Sequence, residues 1–130
     1  MSEVYAPINY KKIRTIFREE LDKPIGTPVD QYSGAVSLPA TTWTDLLTYT
    51  VPEGKTLYIS EFGGFCPTQD YQIKLLIGGT EKRVVGNPAK TPIQYVFVNP
   101  IPVSAGTTIK VQGYAAAAAT AYGWLNGFSA

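Results

Sequence analysis

The chain has 130 residues and 14.1 kDa, with 45% apolar and 16% charged residues and a formal net charge of +1. That length holds one domain with one core, not a cofactor domain plus a substrate domain, and near-neutral charge argues against wholesale binding to nucleic acid or anionic lipid. There is no His and a single Cys, which removes the commonest general base and metal ligand and excludes an internal disulfide.

Taken in chain order, the first feature is a charged segment. Met1 to Lys23 carries Glu3, Lys11, Lys12, Arg14, Arg18, Glu19, Glu20, Asp22 and Lys23. It has no apolar stretch of the secretory kind, so no signal peptide is expected. Pro24-Ile25-Gly26-Thr27-Pro28 then punctuates as a linker. The expected division is an extended N-terminal arm, residues 1–34, and a globular body, residues 35–130.

The arm has one candidate helix, about Tyr10 to Leu21. Tyr10, Ile13, Phe17 and Leu21 recur at spacings of three and four, which makes one apolar stripe, and Asn9 is a suitable cap. The charges oppose the helix dipole: Lys11, Lys12 and Arg14 stand at its positive start, Glu19, Glu20 and Asp22 at its negative end. Such a helix is marginal alone and stable only when its stripe docks. The stripe either clamps a neighbouring subunit or packs on its own body. The first reading is the expectation, with Tyr10, Ile13, Ile16 and Phe17 against the neighbour and Lys11, Lys12 and Arg14 near its acids.

The body reads as short strands between turn residues. Ala35 to Leu38 ends at Pro39. Trp43 to Val51 ends at Pro52-Glu53-Gly54, and Thr56 to Phe62 at Gly63-Gly64. Tyr71 to Ile77 meets Gly78-Gly79, and Lys82 to Val85 meets Gly86-Asn87-Pro88. Ile93 to Val98 ends at Asn99-Pro100. Thr107 to Tyr114 and Tyr122 to Phe128 complete the eight runs. Without any strand–helix alternation, they predict an all-β antiparallel sandwich or barrel. Val51, Leu57, Ile59, Ile73, Leu75, Val96, Ile109 and Val111 are the expected core.

One pattern occurs twice. Val51-Pro52-Glu53-Gly54-Lys55-Thr56-Leu57-Tyr58-Ile59 matches Val103-Ser104-Ala105-Gly106-Thr107-Thr108-Ile109-Lys110-Val111. Each is a tight turn needing Gly, followed by a strand with one buried face. Such a pair fits equivalent strands of two stacked sheets, as in a double Greek key.

The chemistry-bearing residues are few. Without His, a Ser nucleophile needs a Lys base, and nothing in the sequence places Ser60 beside Lys74. Gly78-Gly79-Thr80-Glu81-Lys82 lacks phosphate-loop spacing and reads as a hairpin turn. Asp30, Asp45, Glu53, Glu61, Asp70 and Glu81 are scattered, with no calcium-loop pattern. Cys66 has no local positive charge and reads as an inert buried thiol. The aromatics Trp43, Tyr49, Tyr58, Phe62, Phe65, Tyr71, Tyr95, Tyr114, Tyr122, Trp124 and Phe128 are assigned to core or subunit interface, with Trp43 or Trp124 as alternative sugar-stacking platforms. Ala115 to Ala119 is either a small-residue hairpin loop or a tip where several chains come close. No catalysis, cofactor, metal, nucleic acid or membrane partner is expected.

The segments Ser37-Leu38-Pro39-Ala40-Thr41-Thr42-Trp43-Thr44, Tyr49 to Ile59 and Asn99-Pro100-Ile101-Pro102-Val103-Ser104-Ala105-Gly106-Thr107-Thr108-Ile109 resemble small virion proteins of tailed bacteriophages. In these a Tyr-Thr-Val-Pro Gly turn leads into an apolar strand, and a Pro-Val Gly-Thr turn opens a later one. The resemblance covers about residues 35–130. It implies a jelly-roll-like β-sandwich that decorates or cements a capsid, attached to the major capsid protein or another virion protein. It also implies a homotrimer by analogy, and a place on the particle surface after assembly in the host cytoplasm. The alternative it implies is a receptor- or carbohydrate-binding module of a tail or fibre. It brings no catalytic residues.

Overall fold

A computed structural model describes residues 26–87 and 91–130. The arm residues Tyr10, Lys11, Lys12, Ile13, Arg14, Ile16 and Phe17, with the candidate helix and its Asn9 cap, lie outside the described residues. The strands are β1 Thr27–Tyr32, β2 Val36–Leu38, β3 Thr44–Thr50, β4 Leu57–Phe65, β5 Tyr71–Ile77, β6 Thr80–Asn87, β7 Ile93–Val103, β8 Thr108–Ala115 and β9 Ala119–Ser129. The eight expected runs are all strands. β1, on the arm side of the expected boundary at residue 34, is a ninth.

Apart from β2, the strands pair antiparallel as β1–β9, β3–β8, β4–β7 and β5–β6. The first sheet has the order β1-β9-β4-β7, with β2 also on β9; the second has the order β3-β8-β5-β6. The chain is thus a long folded-back ribbon whose successive strand pairs alternate between two sheets. That is the jelly-roll form of an antiparallel sandwich, two interlocked Greek keys. β1 and β2 act as one interrupted edge strand. Ser33 bridges the interruption: its N–H donates to the Gly123 carbonyl at 2.9 Å, and its Oγ accepts from the Gly123 N–H at 2.9 Å.

The repeated pattern forms two of the corners where the chain changes sheet, from β3 to β4 and from β7 to β8. Gly54 and Gly106 hold φ of 75° and 82°, the left-handed values a type II turn needs at its third position. The corners share one turn bond, Lys55 N–H to Pro52 O at 3.3 Å and Thr107 N–H to Ser104 O at 3.2 Å. They also bond each other: Gly106 N–H donates to Val51 O at 2.8 Å, and Val51 N–H to Thr107 O at 3.0 Å. After each corner alternate residues enter the core, Leu57 and Ile59 on β4, Ile109 and Val111 on β8.

The core lies between the sheets. Val51, Leu57, Ile59, Ile73, Leu75, Ile109 and Val111 are each no more than 1% exposed. Val96, expected with them, is 60% exposed. In Ile93-Gln94-Tyr95-Val96-Phe97-Val98 both parities are largely apolar. Ile93, Tyr95 and Phe97 take the inner side, stacking on Phe62 at 5.8 Å (Tyr95) and 6.0 Å (Phe97), and Val96 is turned outward. β7 also runs on through Asn99 and Pro100. The register jumps from Glu61↔Val96 to Ile59↔Ile101, so the extra residues bulge out and carry Val98 into solvent. β4 likewise continues through Gly63 and Gly64 instead of ending there. A Cβ on Gly63 would meet the Trp124 ring nitrogen at 2.6 Å, and one on Gly64 would meet Ile73 at 2.5 Å. These glycines admit close neighbours on both faces of a strand; they do not make a turn.

Candidate functional site

The residues that could have carried catalysis are kept apart. Ser60, on the first sheet, donates to the Asn126 carbonyl at 3.0 Å. Lys74, on the second, lies 4.2 Å above the Trp43 ring and 3.4 Å from Glu81. Gly78 and Gly79 are the two-residue hairpin between β5 and β6, with φ of 59° and 81°, both left-handed as a type I′ turn demands. Cys66 is a buried free thiol. Among the described residues no three His, Cys, Asp or Glu side chains are grouped to hold a metal. No helix among them is long and apolar enough to cross a membrane. The alanine run is a loop, but not the expected hairpin: it joins β8 to β9 across the two sheets, since β8 pairs with β3 and β5 and β9 with β1, β2 and β4. Gln69 fastens it, donating to Ala117 O at 2.9 Å and Ala118 O at 3.3 Å and accepting from Ala117 N–H at 3.0 Å. Those bonds satisfy the loop backbone and offset the helical preference of alanine.

What remains is surface, and the two outer faces differ. In a paired sheet, partners across strands point to the same side, so register maps a face row by row. On the first sheet Pro28 meets Phe128, Phe128 meets Tyr58 and Tyr58 meets Pro102. The next row is Asp30, Asn126, Glu61 and Val96, and the next Tyr32, Trp124, Gly63 and Gln94. Tyr122 meets Phe65 in the last. This face is therefore apolar at one end, acidic in the middle and aromatic at the other end. Tyr58 stacks on Phe128 at 5.0 Å. Tyr122 stacks on Tyr32 and on Phe65, both at 6.4 Å. Tyr32, Phe65, Pro67, Tyr122 and Trp124 line a shallow depression of about 390 Å³.

Among the described residues the acidic row has no counter-ion. Glu61 accepts from Asn126 at 2.5 Å and from Gln94 at 2.8 Å, but both donors are neutral amides. Asp30 is exposed. The five strands of this sheet contain no Lys or Arg. The outer face of the second sheet carries its own counter-ions. Lys110 reaches Asp45 at 3.0 Å and Gln112 donates to the same carboxylate at 2.6 Å. The Gln112 hydrogen bond is the largest influence and lowers Asp45; burial comes next and pushes it up, and the Lys110 hydrogen bond and charge add to the lowering, so the carboxyl stays below the usual range. Trp43 there is packed on Tyr114 at 5.3 Å, beneath Lys74.

The structure thus sorts the aromatics. Phe62 and Tyr71 belong to the core, Trp43 and Tyr114 to the second face, and Tyr58, Phe65, Tyr122, Trp124 and Phe128 to the first. Tyr95 closes the side of the sandwich, with the Arg83 guanidinium 4.9 Å over its ring. Tyr32, 65% exposed, is a member of the first face that sequence reasoning missed. Its available signal was the outward alternation of Pro28, Asp30 and Tyr32 on β1. No protein-family model matches the chain, and no curated protein matches it.

Proposed function

We propose that this protein is a structural component of a virus particle, a capsid decoration or cement protein that acts by protein–protein contact. The observation that carries the reading is the outer face of the β1-β9-β4-β7 sheet, which sets on one surface six aromatic rings and two carboxylates without a counter-ion among the described residues. Aromatic surface of that kind, divided by polar groups that lack counter-ions, marks an interaction site. The sandwich form and the sparse charge agree with what the resemblance to phage virion proteins implies. In this reading the face seats the protein on the major capsid protein or another virion protein, the arm anchors it, and copies associate as a trimer on the particle surface.

Immunogold labelling of the source particle tests this. Label spread over the head is expected. Label confined to a tail or fibre end overturns decoration and supports the second reading, a receptor- or glycan-binding module. That reading draws on the Trp124 depression, since sugars stack on exposed aromatic rings. Glycan binding that Trp124→Ala abolishes would establish it, and absence of label from the particle would overturn both.

A further inference from the structure

Among the described residues nothing covers the outer face of the first sheet or supplies it a counter-charge, and this chain's own sequence contains a segment with the matching chemistry. Residues 10–18, Tyr-Lys-Lys-Ile-Arg-Thr-Ile-Phe-Arg, carry Lys11, Lys12, Arg14 and Arg18 and no acid, interleaved with Tyr10, Ile13, Ile16 and Phe17. The face carries Asp30 and Glu61 and no base, between two apolar ends. The second sheet offers such a segment far less, because Asp45 and Glu81 are already engaged by Lys110 and Lys74.

The point where the chain leaves the described structure supports the match. Thr27 pairs with Ser129, and Gly26 lies so close to Phe128 that a Cβ there would stand 3.1 Å from its ring. The described chain therefore begins at the Phe128–Tyr58 end of the face. From Phe128 to Tyr122 the face measures about 20 Å at the strand rise per residue. The eight residues from Arg18 to Gly26 reach about 27 Å when extended, so the segment can lie across the acidic row of its own body. A tether this short gives an effective concentration on the order of millimolar, above that of a free second copy.

We propose that residues 10–18 dock on the outer face of the β1-β9-β4-β7 sheet of the same chain. The basic side chains meet Asp30 and Glu61, the apolar ones cover the aromatic rings, and Glu19, Glu20 and Asp22 stay in the connection. The free protein thereby masks the surface that the proposed function uses for attachment, and the mask must be displaced when the protein is seated. The inference rests on that reading only for its biological purpose; the contact is a property of the free chain.

Limited proteolysis of the full-length protein tests it in the absence of particles. Trypsin should cut after Arg14 and Arg18 about tenfold more slowly than in a synthetic peptide of residues 1–23, since cleavage tracks the undocked fraction. Protection should be unchanged by dilution, weaken in high salt because the pairs are surface-exposed, and fall several-fold in Asp30→Lys and in Tyr32→Ser. Cleavage at the free-peptide rate in the unaltered protein overturns the proposal. Protection lost on dilution also overturns it, because the occupant is then another copy. Particle attachment, read separately by co-sedimentation, stands or falls independently.

Discussion

The two outer faces of the sandwich are made by the same kind of strand, over the same core, yet only one is finished as a surface for water. On the β3-β8-β5-β6 face, Asp45, Lys110, Gln112, Lys74 and Glu81 satisfy one another, and Trp43 is packed between Tyr114 and Lys74. On the β1-β9-β4-β7 face, Glu61 is met among the described residues by the Gln94 and Asn126 amides and by no cation, and the rings stack on each other. The difference shows that burial alone does not locate function here, since half-buried aromatics occur on both faces. What separates the faces is whether the polar groups among the rings already have partners.

The largest effect comes from removing what both faces share. Ile73, fully buried between the sheets, changed to Asp places an unpaired charge in the core and should cost about 4 kcal/mol or prevent folding. Urea denaturation reads this out, and a variant of unchanged midpoint would contradict the packing described. Next in size is a change confined to the first sheet. Gly63→Ala drives a Cβ into the Ile93 carbonyl and the Trp124 ring, while Gly86→Ala on the second meets only the Gln72 side chain, at 3.7 Å. The first should cost about 2 kcal/mol or more, the second under about 0.5 kcal/mol. Equal losses would deny the close approach of the Trp124 ring to Gly63.

A third pair separates stability from binding. Trp43→Ala should lower stability by about 1–2 kcal/mol, through its lost ring contact with Tyr114 and its cation contact with Lys74, and leave particle attachment alone. Tyr32→Ser should shift the denaturation midpoint less than Trp43→Ala does and weaken attachment about tenfold, measured by co-sedimentation. The smallest effect is electrostatic. Because the native carboxyl of Asp45 titrates lower than in the unfolded chain, its contribution is present above about pH 3.9 and is lost as pH falls through the lowered native value. Asp45→Asn should therefore be slightly less stable than the natural protein at neutral pH, by under about 1 kcal/mol for so exposed a pair. The two should converge in acid.

Much of the fold was legible because its signals are local. The two corners declare themselves through Gly54 and Gly106, each at the one turn position that needs a left-handed residue, and seven of the eight expected core residues follow from alternation. β1 escaped for an equally local reason: in Thr27-Pro28-Val29-Asp30-Gln31-Tyr32 only Val29 is a buried apolar residue, and Pro28 continues the linker pattern. Val96 went astray where both parities of β7 are apolar, and aromatic packing on Phe62 decides between them. The candidate face could not be read at all. Its central row joins Asp30, Asn126 and Glu61, which no spacing along the chain connects, and cross-strand register exists only after folding. The arm residues singled out for their stripe and charge lie outside the described structure.

The nesting of the strand pairs has a consequence for how the molecule comes into being. Only β5 and β6 are joined by a two-residue loop; Gly64 must then find Ile93, Thr50 must find Thr108, and Tyr32 must find Trp124. Each closure spans a longer loop than the one inside it and costs more chain entropy unless the inner pair has already formed. Order should therefore spread outward from the Gly78-Gly79 turn, as pulsed hydrogen exchange would show by protecting β5 and β6 before β1. The edge strand made earliest in synthesis is then the last to be seated. The acidic row joins Asp30 on β1 to Asn126 and Glu61, so it is assembled only on a body that is otherwise complete.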